Sequence, residues 1–299
     1  MRKLGASNRG DNRVALIKPD FVLLVSCVDR KGIVAAIANS IAAQDCNIVE
    51  NSQFGDAETG RFFMRVAIAA PKSVSVDSFK AAFLPVASAY HLDWQVHDLH
   101  VKQRAIIMVS KGGHCLNDLI YRTATGFLPM EITSIVSNHM TWARRAEHEG
   151  LPYHYLPVTP ETKAAQEEKL MALIDEEQVD LIILARYMQV LSDATCRKLE
   201  GRVINIHHSS LPAFKGARPY HRAYERGVKL VGATGHYVTP DLDEGPIIAQ
   251  DVTHVDHADT VDDLIAQGQE TESRVLTRAV KAHLEHRVML NGQRTIVFK

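Results

Sequence analysis

The sequence is short of everything that would tie it to a membrane, a nucleic acid or a disulfide scaffold. Its four cysteines, Cys27, Cys46, Cys115 and Cys196, are widely spaced and form no C-x-x-C pair. Reduced thiols in a cytoplasmic protein are therefore expected, rather than bridges. No apolar run approaches the ~20 residues of a membrane span. The first thirteen residues, MRKLGASNRGDNR, lack the apolar core of a signal peptide. Residues 1–17 are expected to form a loose tail. A net charge of −1 leaves no excess of either sign to hold a nucleic acid or a membrane surface. Internal repeats and low-complexity runs are missing as well.

What is present is about two domains' worth of ordinary globular sequence: 299 residues, 46% apolar and 23% charged. Residues 21–28 read as a buried strand. Asp29 stands where it would cap a helix over 31–44, and Gly32 lets the backbone approach a ligand. Residues 47–54 and 61–69 alternate as a hairpin around Gly55–Gly60. A helix over 75–89 and a strand over 92–99 complete a βαββαβ, ferredoxin-like order.

After a link at 101–104, residues 105–109 read as a strand. The turn Ser110-Lys111-Gly112-Gly113-His114 and a helix to 125 follow. The turn is not G-x-G-x-x-G, although its backbone could bind a phosphate. Strands at 131–137, 153–156 and 179–185 alternate with helices at 141–149 and 160–177. That alternation predicts a Rossmann-like, mostly parallel sheet with its site at the carboxyl ends of the strands. From Thr260 a long amphipathic helix runs to about 286. A hairpin of 288–290 and 295–298, turning at Asn291-Gly292, ends the chain.

The chemistry gathers in residues 202–246, RVINIHHSSLPAFKGARPYHRAYERGVKLVGATGHYVTPDLDEGP. Strand alternation over 203–207 puts Asn205 and His207 on one face and turns His208 to the other. A strand over 230–238 carries His236, and Asp243 stands just before Gly245-Pro246. An amide, an imidazole and a carboxylate are the minimal set for moving an acyl group. Ser209 and Ser210 lie in no G-x-S-x-G elbow, which argues against a serine nucleophile. The run from His254 to Asp259 is rich in ligand atoms but fits no zincin spacing, so no metal is expected.

This stretch resembles the catalytic core of the folate-dependent formyltransferases, in which Asn-x-His and a later Asp-x-Gly-Pro supply a triad. The resemblance implies Asn205, His207 and Asp243 as that triad, with His236 and His208 in support. It also implies a folate pocket that includes Met188, Val190, Leu191, Val238 and Leu242. The substrate would be 10-formyltetrahydrofolate, with no cofactor. Residues 18–100 resemble an ACT domain through the Asp29-Arg30-Lys31-Gly32-Ile33 turn and Asn47. That likeness implies a homo-oligomer, with Asp29, Arg30, Gly32, Ile33 and Asn47 around an amino-acid effector such as glycine or methionine. A docking module without a ligand is the alternative there.

An ACT domain in front, His207-His208-Ser209 in the loop and Ala217-Arg218-Pro219-Tyr220 after it resemble the hydrolytic branch of the formyltransferases. In that branch water attacks the formyl carbon, and the formate released serves purine synthesis and balances the one-carbon pool. Two alternatives stay open. Transfer to an amine such as glycinamide ribonucleotide is one, although Ser110–Cys115 alters the Gly-Asn-Gly-Ser-Asn loop that holds its phosphate. A non-catalytic folate or amino-acid sensor is the other.

Overall fold

A computed structural model describes residues 17–209, 211 and 219–299. The expected tail therefore lies, Ile17 apart, outside the described residues, as do Ser210, Pro212, Ala217 and Arg218. The chain divides into two compact units between His100 and Val101.

The first unit contains β1 (Phe21–Val28), α1 (Ile33–Ala42), β2 (Asn47–Asp56), β3 (Arg61–Ala69), α2 (Val76–Tyr90) and β4 (Asp93–Asp98). Its strands are antiparallel in the order β2–β3–β1–β4. Apolar residues four apart explain the helices' seating. Ile33, Ile37 and Ile41 of α1 and Phe79, Phe83 and Ala87 of α2 are buried in one cluster with Leu23, Val25, Met64 and Val66. Ser75 and Ser78 form a capping box at the start of α2. Asp29 does not cap α1. The N-cap is Gly32, at φ 93°, with no side chain bonded to it. Asp29 belongs instead to the turn before it, where its N–H donates to the carbonyl of Gly60 at 2.9 Å.

The second unit opens with β5 (Gln103–Val109), α3 (His114–Ala124), β6 (Met130–Ser137), α4 (Ala143–His148), β7 (Tyr153–Tyr155) and α5 (Lys163–Glu176). It continues through β8 (Leu181–Leu184), α6 (Asp193–Lys198), β9 (Val203–His207), α7 (Pro219–Arg226), β10 (Leu230–Tyr237) and β11 (Ile247–His254). The long α8 (Val261–Leu284) and the hairpin β12 (Val288–Asn291) and β13 (Arg294–Val297) close it. α8 starts at Thr260, which forms a capping box with Asp263.

The sheet runs β11–β10–β9–β8–β5–β6–β7. The five strands from β9 to β7 are parallel, and β10 is antiparallel to both of its neighbours. The unit is thus mixed α/β around a mostly parallel sheet. Its inner strands are buried on both faces, with Ala105, Ile107 and Val109 in one cluster and Ile106 and Met108 in another. From β5 the chain builds outward through β6 and β7, then returns to build the other way through β8 and β9. The switch falls between β5 and β8, and a cleft is expected beyond the carboxyl ends of those strands.

Candidate active site

The segments leaving β5, β8 and β9 meet at that switch. Asn205 and His207 sit two apart at the end of β9, and β10 lies against them with Thr234 opposite His207 and His236 opposite Asn205. The register between β10 and β11 slips between Gly235 and His236, leaving Ile248 as an extra residue on β11. Such bulges re-aim side chains beside active sites.

His236 is 2% exposed. Its Nδ1 lies 2.8 Å from the carbonyl of Tyr237, which can only accept, so the proton is on Nδ1. Burial lowers its pKa, keeping the ring neutral. The lone pair on Nε2 then accepts the side-chain amide of Asn205 at 3.3 Å. This fixes which way Asn205 turns its NH2 group and leaves its second N–H for a ligand.

Asp243 comes from the turn after β10, in a left-handed conformation at φ 57°. The turn folds tightly onto the strand because residue 245 is glycine. A Cβ there would stand 1.8 Å from the carbonyl oxygen of Tyr237. Asp243 thereby accepts from Nδ1 of His207 at 3.2 Å. That hydrogen bond is the largest influence on the carboxyl and, outweighing burial, holds it below its ordinary range. His236 Nε2 lies 3.8 Å from the same carboxylate, too long for a hydrogen bond. With that ring neutral, the two do not form an ion pair. Nε2 of His207 is buried and has no hydrogen-bond partner among the described residues.

His208 departs from the expected opposite face. β9 ends at His207, so the pleat does not extend to residue 208. The two rings stack, with centroids 4.8 Å apart and planes 18° from parallel. Thr234 steadies the loop beyond: its hydroxyl donates to the carbonyl of Ser209 at 2.8 Å and accepts the N–H of Leu211 at 3.0 Å.

Asn205, His207, His208, His236 and Asp243 line one cavity of about 650 Å³. Met188, Val190 and Leu242, all more than half exposed, and the half-buried Val238 supply its apolar side. Leu191 also lines it but is 6% exposed and mostly core. Two devices hold the segment 186–192. Ser110 Oγ accepts the N–H of Met188 at 2.9 Å and donates to Asn138 at 2.7 Å. Glu167 accepts the N–H and hydroxyl of Ser192, the cap of α6, and the hydroxyl of Thr195 at 2.5 Å.

Sequence reasoning missed the opposite wall. There Glu272 of α8, 1% exposed, accepts from Tyr220 Oη at 2.5 Å and His114 Nε2 at 2.7 Å, and pairs by charge with Arg186, whose Nε lies 3.3 Å away. Burial alone would push this carboxyl up, but those donors outweigh it and it lies below its ordinary value. Tyr220 reaches it by crossing α8 at Gly268, where a Cβ would come 2.2 Å from the phenol oxygen. A signal was available: Leu264, Gly268, Glu272, Leu276 and Val280 recur every four residues. An acid on such a buried stripe needs partners.

Could a metal sit here? His114, Cys115 and Glu272 bring ligand atoms within 4.8 Å of one another. Both oxygens of Glu272 already accept hydrogen bonds, however, and burial pushes the Cys115 thiol well up, away from the thiolate a metal needs. The His254–Asp259 run leaves the end of β11 through the buried Val255 and enters a turn in which Asp256 and Asp259 accept backbone N–H groups at 2.7 Å.

In the first unit the expected effector residues do not converge. Ile33 is 2% exposed and belongs to the core. Arg30 is engaged, donating to the carbonyl of Ala89 at 2.6 Å and lying 4.5 Å over the ring of Tyr90. Asn47 pairs with Ala69, whereas Asp29 follows Val28, which pairs with Arg61. Eight residue steps along β3, about 27 Å, separate those positions. The hairpin reverses the chain, so the start of β2 falls at the far end of the sheet from the Asp29 turn.

Comparison with known proteins agrees with this architecture. Residues 103–280 match the family model described as formyl transferase. A formyltetrahydrofolate deformylase of Corynebacterium sp. (strain P-1) is 45% identical over 279 residues, 93% of this chain and 98% of that protein. The crystal structure of formyltetrahydrofolate deformylase from Burkholderia mallei superposes with a TM-score of 0.89 at 47% identity, covering 94% of this chain and all of that one. A glycinamide ribonucleotide transformylase from Symbiobacterium toebii covers only 66% of this chain, at 30% identity and a TM-score of 0.62. With a formyl transferase domain behind an N-terminal unit that the deformylases match and the transformylase does not span, the chain belongs to the formyltetrahydrofolate deformylase family.

Proposed function

We propose that the chain hydrolyses 10-formyltetrahydrofolate to tetrahydrofolate and formate. The observation that carries this is the pairing of His207 with Asp243 beside an Asn205 amide whose orientation His236 dictates. The pterin lies against Met188, Val190, Val238 and Leu242, which puts the formyl carbon near Nε2 of His207. Water adds to that carbon. The free N–H of Asn205 and protonated Nε2 of His207 donate to the oxyanion. Asp243, held ionised, takes the proton of the attacking water. A carboxylate with a lowered pKa is a poor resting place for a proton, so the His207–Asp243 pair returns one to N10 as the C–N10 bond breaks. One water is consumed, and no cofactor is needed.

Purified protein incubated with 10-formyltetrahydrofolate and no amine should release formate. Turnover that begins only when an amine acceptor is supplied would make it a transferase. Absence of turnover under both conditions would leave a sensor.

The released formate would feed purine synthesis and adjust the one-carbon pool. The N-terminal unit is read as an ACT domain that joins copies of the chain and binds glycine or methionine. Because Asn47 and the Asp29 turn lie far apart in one chain, the effector site would take one from each of two copies. The exposed edge strand β2 suits such pairing. Calorimetry with glycine and methionine, alongside sedimentation, tests this; no binding and no change in rate would leave only a structural role. The four buried, unbridged cysteines support a reducing compartment, the cytoplasm.

A further inference from the structure

Two histidines stand face to face at the reaction cavity, and their outer nitrogens meet opposite partners. Nδ1 of His207 faces the carboxylate of Asp243, which can only accept, so that nitrogen carries a proton. Nδ1 of His208 lies 2.6 Å from Nη1 of Arg186. A guanidinium has no acceptor and is always charged, so this nitrogen must offer a lone pair. His208 is then neutral, with its proton on Nε2.

Arg186 is held to this task from the other side. Its Nε lies 3.3 Å from Glu272 in an ion pair, and His114 and Tyr220 fix that carboxylate in place. The backbone of Arg186 is itself left-handed, at φ 64°, a conformation that non-glycine residues keep only when their surroundings impose it. A carboxylate buried on the apolar stripe of α8 is costly unless it is paired, and a leucine would pack there without that cost. What the carboxylate accomplishes is to aim one guanidinium at one imidazole.

We propose that Glu272 and Arg186 are positioning residues that hold His208 as the neutral Nε2–H tautomer against the face of His207, so that His207 alone of the two carries the catalytic proton. A charged His208 would place a second cation 4.8 Å from the first, ring to ring, and would discourage protonation of His207. Glu272 acts through Arg186, and Arg186 through His208; neither is assigned contact with the formyl group. This inference rests on the hydrolase reading above, in which His207 donates a proton.

The test pairs spectroscopy with kinetics. In ¹⁵N-histidine-labelled protein, the His208 signals, assigned by their loss in His208→Gln, should show Nε2 protonated and Nδ1 bare. Arg186→Ala and Glu272→Gln should erase that pattern and lower kcat by about tenfold or more with KM changed by less than about twofold. Arg186→Lys, which keeps a donor and a charge, should recover part of the loss. A wild-type His208 that is doubly protonated or protonated on Nδ1 overturns the proposal. So does an unchanged kcat in both variants, or a rise in KM alone. Should Arg186→Ala fail to fold, the wild-type spectrum still decides. Wild-type protein that releases no formate would sink the hydrolase reading, while the tautomer measurement would judge this inference separately.

Discussion

His236 faces Asn205 across the β9–β10 ladder and accepts its amide at 3.3 Å, so a buried neutral imidazole sets the direction of an amide that itself points at the cavity. The two residues should therefore differ in degree. Asn205→Ala removes an oxyanion donor and should lower kcat by about 10²–10³. His236→Leu leaves Asn205 in place but unsteered, and a smaller loss on the order of tenfold, about 1.4 kcal/mol, is expected. Steady-state formate release by both variants checks the order; His236→Leu at wild-type rate would remove the steering role.

Asp243→Asn separates charge from shape. Asparagine fits the same space and tolerates the left-handed backbone found at this position. The melting temperature should stay near that of the wild type. The rate should fall by roughly 10⁴, the scale seen when a carboxylate that orients a catalytic imidazole becomes an amide. Substantial activity in a folded Asp243→Asn protein would relieve the carboxylate of its assigned role.

Gly245→Ala should harm both stability and rate. Its Cβ would overlap the Tyr237 carbonyl, a rigid backbone neighbour, so the turn must shift. Overpacking of this kind costs about 1–3 kcal/mol, readable as a lower urea midpoint. The shift also carries Asp243 away from His207. A variant with full activity would mean that the turn has slack the structure does not suggest.

Acid should loosen the protein through Glu272 and Glu167. Burial alone would raise both carboxyls, but their donors bring each below the ordinary 4.5. A group lowered on folding contributes stability that is full above its unfolded value and is lost as pH falls through its folded value. Stability should therefore hold down to about pH 4.5 and decline below it. In Glu167→Gln the decline should be shallower, from a lower starting stability at neutral pH. Urea midpoints measured across that range give the slopes; identical slopes would exclude Glu167 as a contributor.

Much of this organisation was legible beforehand, and the gaps have physical reasons. β1 announces itself as FVLLVSCV, and the β/α alternation after residue 103 predicts the parallel sheet. The spacing of Asn205 and His207 gives their common face. α6 and α7 went unread because they are short, six and eight residues, and largely polar. β11 went unread because IIAQDVTH mixes polar residues at an edge of the sheet. His208 was misplaced because alternation was carried one residue past the strand's end. Glu272 and Arg186 were passed over because their meaning lies in partners far along the chain, which no local pattern reports.

The left-handed backbones of Arg186 and Asp243 have an evolutionary corollary. Glycine would relax either position, and asparagine would sit there more easily than most residues. Breeding this protein for heat resistance, with no check on turnover, should therefore enrich glycine at residue 243, whereas the buried Glu272 carboxylate keeps its guanidinium partner at 186. It would yield sturdy chains that have forgotten their chemistry.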